Sequence, residues 1–321
     1  MRVKALPQTD NVRSLSGAYF PFRGMYVQRN ILSEEGVICA APLQKKQFIQ
    51  GVPKGAEPPL GERKQKMDIK NIISLVKETR GIIMEKRGHV HPSEKGFADF
   101  VTEVDTGVQE FLKARLAERY PDIQFLGEEG EKHGIDYNKP VWVLDPIDGT
   151  TNLIYDFAMS AVSLALYDKK RGVMGVVYNP FHDELFWAER GAGAYFNGRK
   201  ISVSPAKTLH ESLIGIGTTP YEKDLAEENF KIFLRVYKKS LDVRRTGSAA
   251  IDLCYVACGR LDGYFERNLK PWDYGAGAVI LKEAGGKITS FDGTEPDISK
   301  NCCVAASNGL IHNELLADIN A

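Results

Sequence analysis

The stretch "VWVLDPIDGTTNLI", residues 141–154, joins a buried-type strand to two closely spaced carboxylates. Its first four residues are apolar without a break, which is typical of a strand that is buried on both faces. Asp145 and Asp148 follow, separated by only two residues. Two like charges held so close are unfavourable unless a positive group neutralises them or one of them takes up a proton. The stretch therefore predicts a site for positive charge at the end of a buried strand.

The composition is that of a soluble globular protein. Of its 321 residues, 43% are hydrophobic and 26% are charged, which suits one large domain or two ordinary ones. The formal net charge of zero disfavours a dedicated nucleic-acid-binding or polybasic membrane-binding protein. No apolar run is long enough for a transmembrane helix, and the N-terminus lacks the apolar core of a signal peptide. The cysteines, odd in number and without zinc-ligand spacing, indicate a reducing compartment, so we expect a cytoplasmic protein.

Charge is distributed unevenly along the chain. Residues 1–66 hold 11 of the 42 Lys and Arg and 5 of the 42 Asp and Glu, a net charge of +6, which leaves −6 for residues 67–321. The first segment shows no sustained periodicity and ends in the linker-like "GVPKGAEPPLGERKQK". Two interpretations stay open. Either Met67 is the natural start and residues 1–66 are a non-native extension, or these residues form a disordered basic tail.

Residues 67–205 predict a helix pair followed by a sheet. Isoleucine and valine recur at helical spacing from Ile69 until Gly88, and a second amphipathic helix covers about 103–119. Strands are predicted at 125–130, 141–145, 158–168 and 172–180, with two more between 183 and 201. Consecutive strands joined by short turns favour helices packed on a largely antiparallel sheet.

Residues 206–321 change character, because strands and helices alternate there as in an α/β layer. We place the boundary near Ser204–Lys207 and expect both parts to form one catalytic unit. The predicted fold class is therefore α+β or α/β, with an antiparallel half followed by a smaller α/β half.

Acidic residues recur at the ends of predicted elements: Asp105, Glu128, Glu129, Asp145, Asp148 and Asp273. Mg²⁺ prefers oxygen ligands, and two such ions can hold the attacking and leaving oxygens of a phosphoryl transfer. The acids also have structural interpretations. Asp105 and Asp273 suit helix N-caps, and Glu128 with Glu129 suits a solvated turn. Capping does not explain why paired acids occur twice, so the combination favours a metal site.

The segment "DGTTN", residues 148–152, predicts a phosphate-binding element. Gly149 and Thr150 lie at an expected helix N-terminus, where free backbone N–H groups favour an anion. Glycine permits close approach, and the Thr150 hydroxyl can orient a water molecule for attack. Carboxylates for metal beside a phosphate cradle indicate metal-assisted hydrolysis of a phosphate ester.

Three segments carry a family resemblance: "GEE" at 127–129, "WVLDPIDGTTN" at 142–152 and "WDYGAGAVILKEAGG" at 272–286. They resemble the signatures of the inositol monophosphatase family. "KGFADFVTEVD" at 95–105 and "RRTGSAAIDL" at 244–253 are similar to its upstream element and its substrate-side helix. The resemblance runs from about Met67 to the C-terminus. It implies the layered αβαβα sandwich of the sugar-phosphatase type.

The resemblance also implies a set of metal ligands. Glu128 and Asp145, with the carbonyl of Ile147, would bind a first Mg²⁺. Asp145, Asp148 and Asp273 would bind a second, so Asp145 bridges the two. Two or three ions are expected in all.

The implied catalytic residues are Glu128, Thr150 and Asp105. Thr150, supported by Asp105, would position and help to deprotonate the attacking water. Glu129 and Lys95 would surround the ligand cluster and hold it in place.

On the alcohol side, the resemblance implies that the substrate-binding residues are Gly149, Thr150, Gly247, Ser248, Ala249 and Glu266. Glu266 would contact hydroxyl groups, which favours inositol-1-phosphate or a related polyol or sugar phosphate. Fructose-1,6-bisphosphate and a nucleotide 3′-phosphate are the rival substrates. The pair Arg244 and Arg245 suits either a second phosphate or a structural brace.

Further expectations concern inhibitors and partners. Li⁺ would inhibit by competing at one Mg²⁺ site, and the protein would form a homodimer without membrane contact. Some bacterial relatives join RNA-associated complexes. A binding role in a transcription complex, served by the basic residues 1–66, is therefore the alternative function, although the catalytic unit itself is not expected to bind nucleic acid.

Overall fold

The structure is a computed structural model that describes residues 67–96, 99–130 and 133–321. The predicted N-terminal segment, residues 1–66, lies outside the described residues. The described helices are α1 (Ile69–Lys86), α2 (Glu103–Arg119), α3 (Thr150–Ile154), α4 (Ala226–Lys239), α5 (Ala249–Ala257), α6 (Pro271–Glu283) and α7 (His312–Ile319). None of these helices combines the length and apolarity that crossing a membrane requires.

The strands of the first half are β1 (Ser93–Gly96), β2 (Asp99–Val101), β3 (Gln124–Gly127), β4 (Val141–Asp148), β5 (Ala161–Asp168), β6 (Arg171–Asn179), β7 (Glu184–Glu189), β8 (Gly193–Phe196) and β9 (Arg199–Ile201). Those of the second half are β10 (Leu213–Ile216), β11 (Asp242–Arg244), β12 (Gly263–Leu269), β13 (Lys287–Ser290) and β14 (Cys302–Ser307). β1 and β2 form a hairpin of their own, β3 to β9 form a seven-stranded sheet in chain order, and the remaining strands form a five-stranded sheet in the order β11-β10-β12-β14-β13. The larger sheet is antiparallel except where β3 runs parallel to β4.

The helices and sheets stack in five layers. α1 and α2 cover one face of the larger sheet, and α5 and α6 pack between the two sheets. α4 and α7 cover the outer face of the smaller sheet. The predicted αβαβα sandwich is therefore confirmed. The division at 205 stays a prediction, because α6 packs on both sheets and one apolar core joins the two halves.

β4 lies at the centre of this arrangement because it is buried on both faces. Val141 and Val143 enter the core that contains α5 and α6, whereas Trp142 and Leu144 enter the core under α1 and α2. Burying an apolar side chain of this size contributes roughly 1.5–3 kcal/mol. The continuous apolar run in the sequence thus corresponds to a strand that holds two cores together.

Two details differ from the sequence prediction. Residues 184–201 form three strands, not two, because the glycine turns at 191 and 198 divide a short meander. The hairpin of β1 and β2 was not predicted. All four residues of β1 are exposed, and its sequence shows no alternation of apolar and polar residues.

Candidate active site

The predicted site residues come together in one cavity of about 280 Å³. It lies where β4 ends and where α3, α5 and α6 begin. The predicted residues that line it are Glu128, Asp145, Ile147, Asp148, Gly149, Thr150, Gly247, Ser248, Ala249, Glu266 and Asp273. Asp105 and Lys95 do not line it, but each contacts a residue that does.

Glu128 and Asp145 meet because β3 and β4 are parallel. Gly127 pairs with Leu144, and the Glu128 N–H donates to the Leu144 carbonyl oxygen at 3.0 Å. Parallel strands end at the same edge of a sheet, so the acids that follow them become neighbours.

A β-bulge brings Asp145 and Asp148 to the same cavity. Asp145 pairs with Ser163 of β5 and Asp148 pairs with Ala161, so three steps along β4 match two steps along β5. In a regular strand, residues three apart point to opposite faces. The extra residue of the bulge restores the phase, and Pro146 within it has no N–H to leave unpaired.

Protein donors hold one oxygen of each of these two carboxylates. Asp145 Oδ1 accepts from the Ile147 N–H at 2.9 Å. Asp148 Oδ2 accepts from Ser248 Oγ at 2.5 Å and from the Ala250 N–H at 2.7 Å. Ser248 is also the N-cap of α5, so the helix start and the carboxylate position each other. Within the described part of the chain, no hydrogen bond engages Asp145 Oδ2 or Asp148 Oδ1, which leaves one oxygen of each for a ligand.

The first turn of α6 supplies Asp273. Its Oδ2 accepts from the Lys270 N–H at 2.8 Å, so Asp273 is the N3 residue of a capping box and not the N-cap that the sequence suggested. Ser163 Oγ donates to the Trp272 carbonyl at 3.1 Å. Because Ser163 pairs with Asp145, this bond fastens the start of α6 beside the strand acid.

Thr150 and Asp105 form a hydrogen-bonded pair at the cavity wall. Thr150 Oγ1 lies 3.0 Å from Asp105 Oδ1 and 3.1 Å from the Ile147 carbonyl oxygen. Asp105 Oδ2 accepts from the Thr102 N–H at 2.9 Å and so closes the capping box of α2. Thr102, and not Asp105, is therefore the N-cap of α2, whereas Asp105 stabilises the helix start with one oxygen and reaches Thr150 with the other.

Lys95 forms ion pairs with both strand-end glutamates. Its Nζ lies 2.5 Å from Glu129 Oε1 and 3.9 Å from Glu128 Oε1. Gln109 of α2 braces the same turn, because its Nε2 donates to the Glu129 carbonyl at 2.7 Å and its Oε1 accepts from the Glu129 N–H at 3.0 Å. The backbone of Glu129 is therefore fixed in the turn, whereas the Glu128 side chain faces the cavity.

Burial and mutual repulsion raise the pKa values of the cavity acids. Burial, followed by the charge of Asp273, raises the pKa of Glu128 to about 8. Burial also raises the pKa values of Asp148 and Asp273 to about 7 and that of Asp105 to about 6. The pKa of Asp145 lies well above its usual range, through burial and then the charge of Glu128. A site with these pKa values retains protons that a bound cation would displace.

Glu266 forms part of the cavity and is not a strand-end surface acid. Its Oε1 accepts from the Thr219 N–H at 2.9 Å and its Oε2 from the Tyr264 hydroxyl at 2.6 Å. Gly217 lies against it, because a Cβ at position 217 would stand 1.9 Å from the Glu266 Cδ. Only glycine leaves the carboxylate in this position.

The structure gives different surroundings to the two arginines whose roles the sequence left open. Arg245 lines the cavity and donates to Thr218 Oγ1 at 3.1 Å. Arg244 instead pairs with Asp242 at the surface. Lys270 also lines the cavity, although the sequence analysis did not select it; its place directly before the "PWD" of α6 was the available signal.

Known proteins are similar to this chain over the part that contains the site residues. The model of the inositol monophosphatase family matches residues 64–321. The chain belongs to the inositol monophosphatase family. An inositol-1-monophosphatase from Synechocystis is 43% identical over 223 residues, 69% of this chain and 77% of that protein. The Nus factor SuhB of Escherichia coli K12 is 42% identical over 205 residues, 64% of this chain and 76% of that protein. A solved IMPase/NADP phosphatase complexed with Mg²⁺ and phosphate superposes with a TM-score of 0.72 at 28% identity, covering 79% of this chain and 95% of that one.

The donor set of this inositol monophosphatase family member fits a hard divalent cation. Glu128, Asp145, Asp148 and Asp273 supply carboxylate oxygens, and Ile147 supplies a carbonyl oxygen at the same cavity. Oxygen ligands of this kind suit Mg²⁺. Among the residues that the structure describes, no three acidic, histidine or cysteine side chains already stand close enough to hold an ion.

Proposed function

We propose that the protein is a Mg²⁺-dependent phosphomonoesterase that hydrolyses inositol-1-phosphate or a related polyol or sugar phosphate. One observation carries the proposal: four carboxylates from β4, α6 and the end of β3 line one cavity together with Thr150, whose hydroxyl is hydrogen-bonded to Asp105 behind it. The names of the Synechocystis relative and of the Mg²⁺ and phosphate complex support it.

The proposed ligands follow the arrangement of the acids. Glu128 and Asp145, with the Ile147 carbonyl, would hold one ion. Asp145, Asp148 and Asp273 would hold another, and the number of ions is two or three. When bound, Mg²⁺ neutralises the acids and the phosphate and lowers the pKa of a water molecule for attack on phosphorus.

Thr150 positions the attacking water. Its hydroxyl can donate to Asp105 Oδ1 and, through its own oxygen, accept from the water molecule. Asp105 has a pKa of about 6, so it is mainly ionised at neutral pH and can draw the proton along the Thr150 hydroxyl. The alcohol leaves phosphorus with a proton from solvent.

The substrate would lie between the turn after β4 and the strand that carries Glu266. Gly149 has φ +92°, and a Cβ there would stand 3.0 Å from the Met159 carbonyl oxygen, so the turn requires glycine. The first N–H groups of α3 have no intrahelical acceptor and are available to a phosphate. Glu266 would accept hydrogen bonds from the hydroxyls of the alcohol, and the residues of the α5 start, Gly247 to Ala249, would close the same side.

The proposal is tested by phosphate release from a panel of monophosphates with and without Mg²⁺. The panel contains inositol-1-phosphate, sugar phosphates, fructose-1,6-bisphosphate and a nucleotide 3′-phosphate. We expect Mg²⁺-dependent release, fastest from a polyol or sugar monophosphate. Asp145→Asn should abolish it, whereas Asp122→Asn, at an exposed site away from the cavity, should not. Absence of release from every compound would refute the proposal.

Li⁺ provides a second readout of the same site. We expect inhibition at millimolar Li⁺ that additional Mg²⁺ relieves, because the two ions would compete. Inhibition that Mg²⁺ does not affect would contradict competition at a shared position.

The name of the Escherichia coli relative, Nus factor SuhB, favours one alternative, which is a binding role in a transcription complex. The two roles are separable, because Asp145→Asn would remove hydrolysis and leave binding to an RNA-containing complex intact. Retention of a cavity with all four carboxylates favours hydrolysis as the primary function.

A further inference from the structure

A second cavity, of about 420 Å³, lies at the other end of α6. The last turns of α6 form one wall, and the β5–β6 turn and Arg190, which follows β7, form another. Ile288 of β13 and the segment Glu295–Pro296 complete it. None of the residues assigned to hydrolysis lines this cavity. Its volume lies within the range of about 300–1,000 Å³ that is usual for small-molecule sites.

The inner surface of this cavity is apolar and aromatic. Its residues are Ala278, Val279, Ile288, Pro296, Tyr167 and Tyr274. Both tyrosine hydroxyls are already engaged, since Tyr167 donates to the Gly275 carbonyl at 3.0 Å and Tyr274 donates to the Asp297 carbonyl at 3.0 Å. The two hydroxyls are therefore already satisfied, and the small part of the tyrosines that stays accessible, 7% of Tyr167 and 1% of Tyr274, adds to an apolar floor.

The rim carries more positive than negative charge. Lys170, Arg171, Arg190 and Lys282 face Glu283 and Glu295. The carboxylate of Glu283 is used within the protein, because it accepts from the Gly191 and Gly193 N–H groups at 2.9 Å each.

Three of the four rim cations can bind an incoming anion, whereas Arg190 is already engaged, because its Nε donates to the Gly172 carbonyl oxygen at 2.7 Å. Lys282 pairs with Glu295 and Lys170 with Asp297, both at the surface, where ion pairs are weak and a stronger anion can replace the partner. Arg171 is exposed, and within the described ranges its guanidinium makes no ion pair or hydrogen bond. A planar guanidinium of this kind binds oxyanions through two parallel hydrogen bonds.

We propose that this second cavity binds a small organic anion that has a flat apolar body and one anionic group. The body lies on the tyrosine and aliphatic floor, and the anionic group meets Arg171 and the neighbouring rim cations. This site is independent of the phosphatase site, whose lining is acidic where this rim is basic.

The difference in charge makes the test selective. Naphthalene-1-sulfonate is the probe, since it has a flat apolar body and a sulfonate that cannot be hydrolysed as a phosphate ester. Calorimetric titration is done on the full chain in EDTA, so that no metal ion at the phosphatase site can bind the sulfonate. Turnover and metal play no part, so the result is separate from the success or failure of the proposed function.

Arg171→Glu is compared with Arg199→Glu, which changes another exposed arginine of the same sheet that does not line the cavity. We expect saturable binding with a Kd below about 1 mM, weakened at least fivefold by R171E and less than about twofold by R199E. Both substitutions lie at the surface, so loss of folding does not complicate the comparison. Absence of saturable binding up to roughly 10 mM, or equal Kd values in the two variants, would overturn the proposal.

Discussion

Binding of Mg²⁺ should release a number of protons that depends steeply on pH. In the metal-free protein Glu128 has a pKa of about 8, and Asp148 and Asp273 have pKa values of about 7. From these values, the three groups together hold about three protons at pH 6 and about 0.1 proton at pH 9. A carboxylate must lose its proton to bind a metal, so these three groups should release about three protons at pH 6 and almost none at pH 9, and any proton held by Asp145, whose pKa is also raised, adds to the count.

The proton count is measured by titrating metal-free protein with MgCl₂ in two buffers of different ionisation enthalpy. The slope of observed enthalpy against buffer enthalpy gives the protons released. Because protons compete with the metal, the affinity for Mg²⁺ should also fall as the pH is lowered from 9 to 6.

Two variants test which side chains hold the protons that Mg²⁺ binding releases. Glu128→Gln should release about one proton fewer at pH 6, since it removes the group with a pKa of about 8. Asp122→Asn, which is exposed and outside the cavity, should leave the count unchanged. Release of fewer than about one proton at pH 6, or the same count at both pH values, would refute the argument that these acids share a desolvated, mutually repelling site.

The remaining predictions use folding stability and kinetics. The metal-free protein should lose stability as the pH rises from about 5 to 8, because the folded pKa values of the cavity acids exceed the unfolded ones, and Mg²⁺ should remove most of this loss in thermal unfolding. Ser248→Ala removes the α5 cap and a hydrogen bond to a proposed metal carboxylate, so urea unfolding should show a loss of about 1–3 kcal/mol, and an unchanged midpoint would contradict that role. Thr150→Val should lower kcat by about 100-fold or more without weakening Mg²⁺ binding, and Thr150→Ser should restore most of it. Gly217→Ala should raise KM by about tenfold, because its Cβ would displace Glu266, whereas Gly81→Ala, where no atom lies within 4 Å, should leave KM unchanged.

Local patterns in the sequence were sufficient for most of the fold. The unbroken apolar run of β4 predicted burial on both faces, and helical spacing placed α1 and α2 close to their observed ends. The acids at element ends were selected because each follows a recognisable strand or opens a helix. These signals depend on neighbouring residues alone, so a single sequence contains them.

Features that depend on pairing between distant segments could not be predicted. Strict alternation would place Asp145 and Asp148 on opposite faces, and only the register with β5 shows the bulge. The hairpin that carries Lys95 has no apolar alternation, so its contact with Glu129 had no local signal. The second cavity is assembled from separate segments, each of which looks like ordinary surface in the sequence.

Because of the bulge in β4, the number of residues between the two aspartates decides which face of the sheet each carboxylate points to. Deleting Pro146 would leave every predicted ligand in the chain and would remove the bulge, so the two aspartates would stand two residues apart on one face of a regular strand. Inserting one residue while the bulge stays would instead turn the second carboxylate toward the apolar core under α1 and α2. The spacing of the aspartates and the bulge in their strand therefore belong together, and an alignment that shows an insertion there marks a protein in which the second aspartate has lost this position.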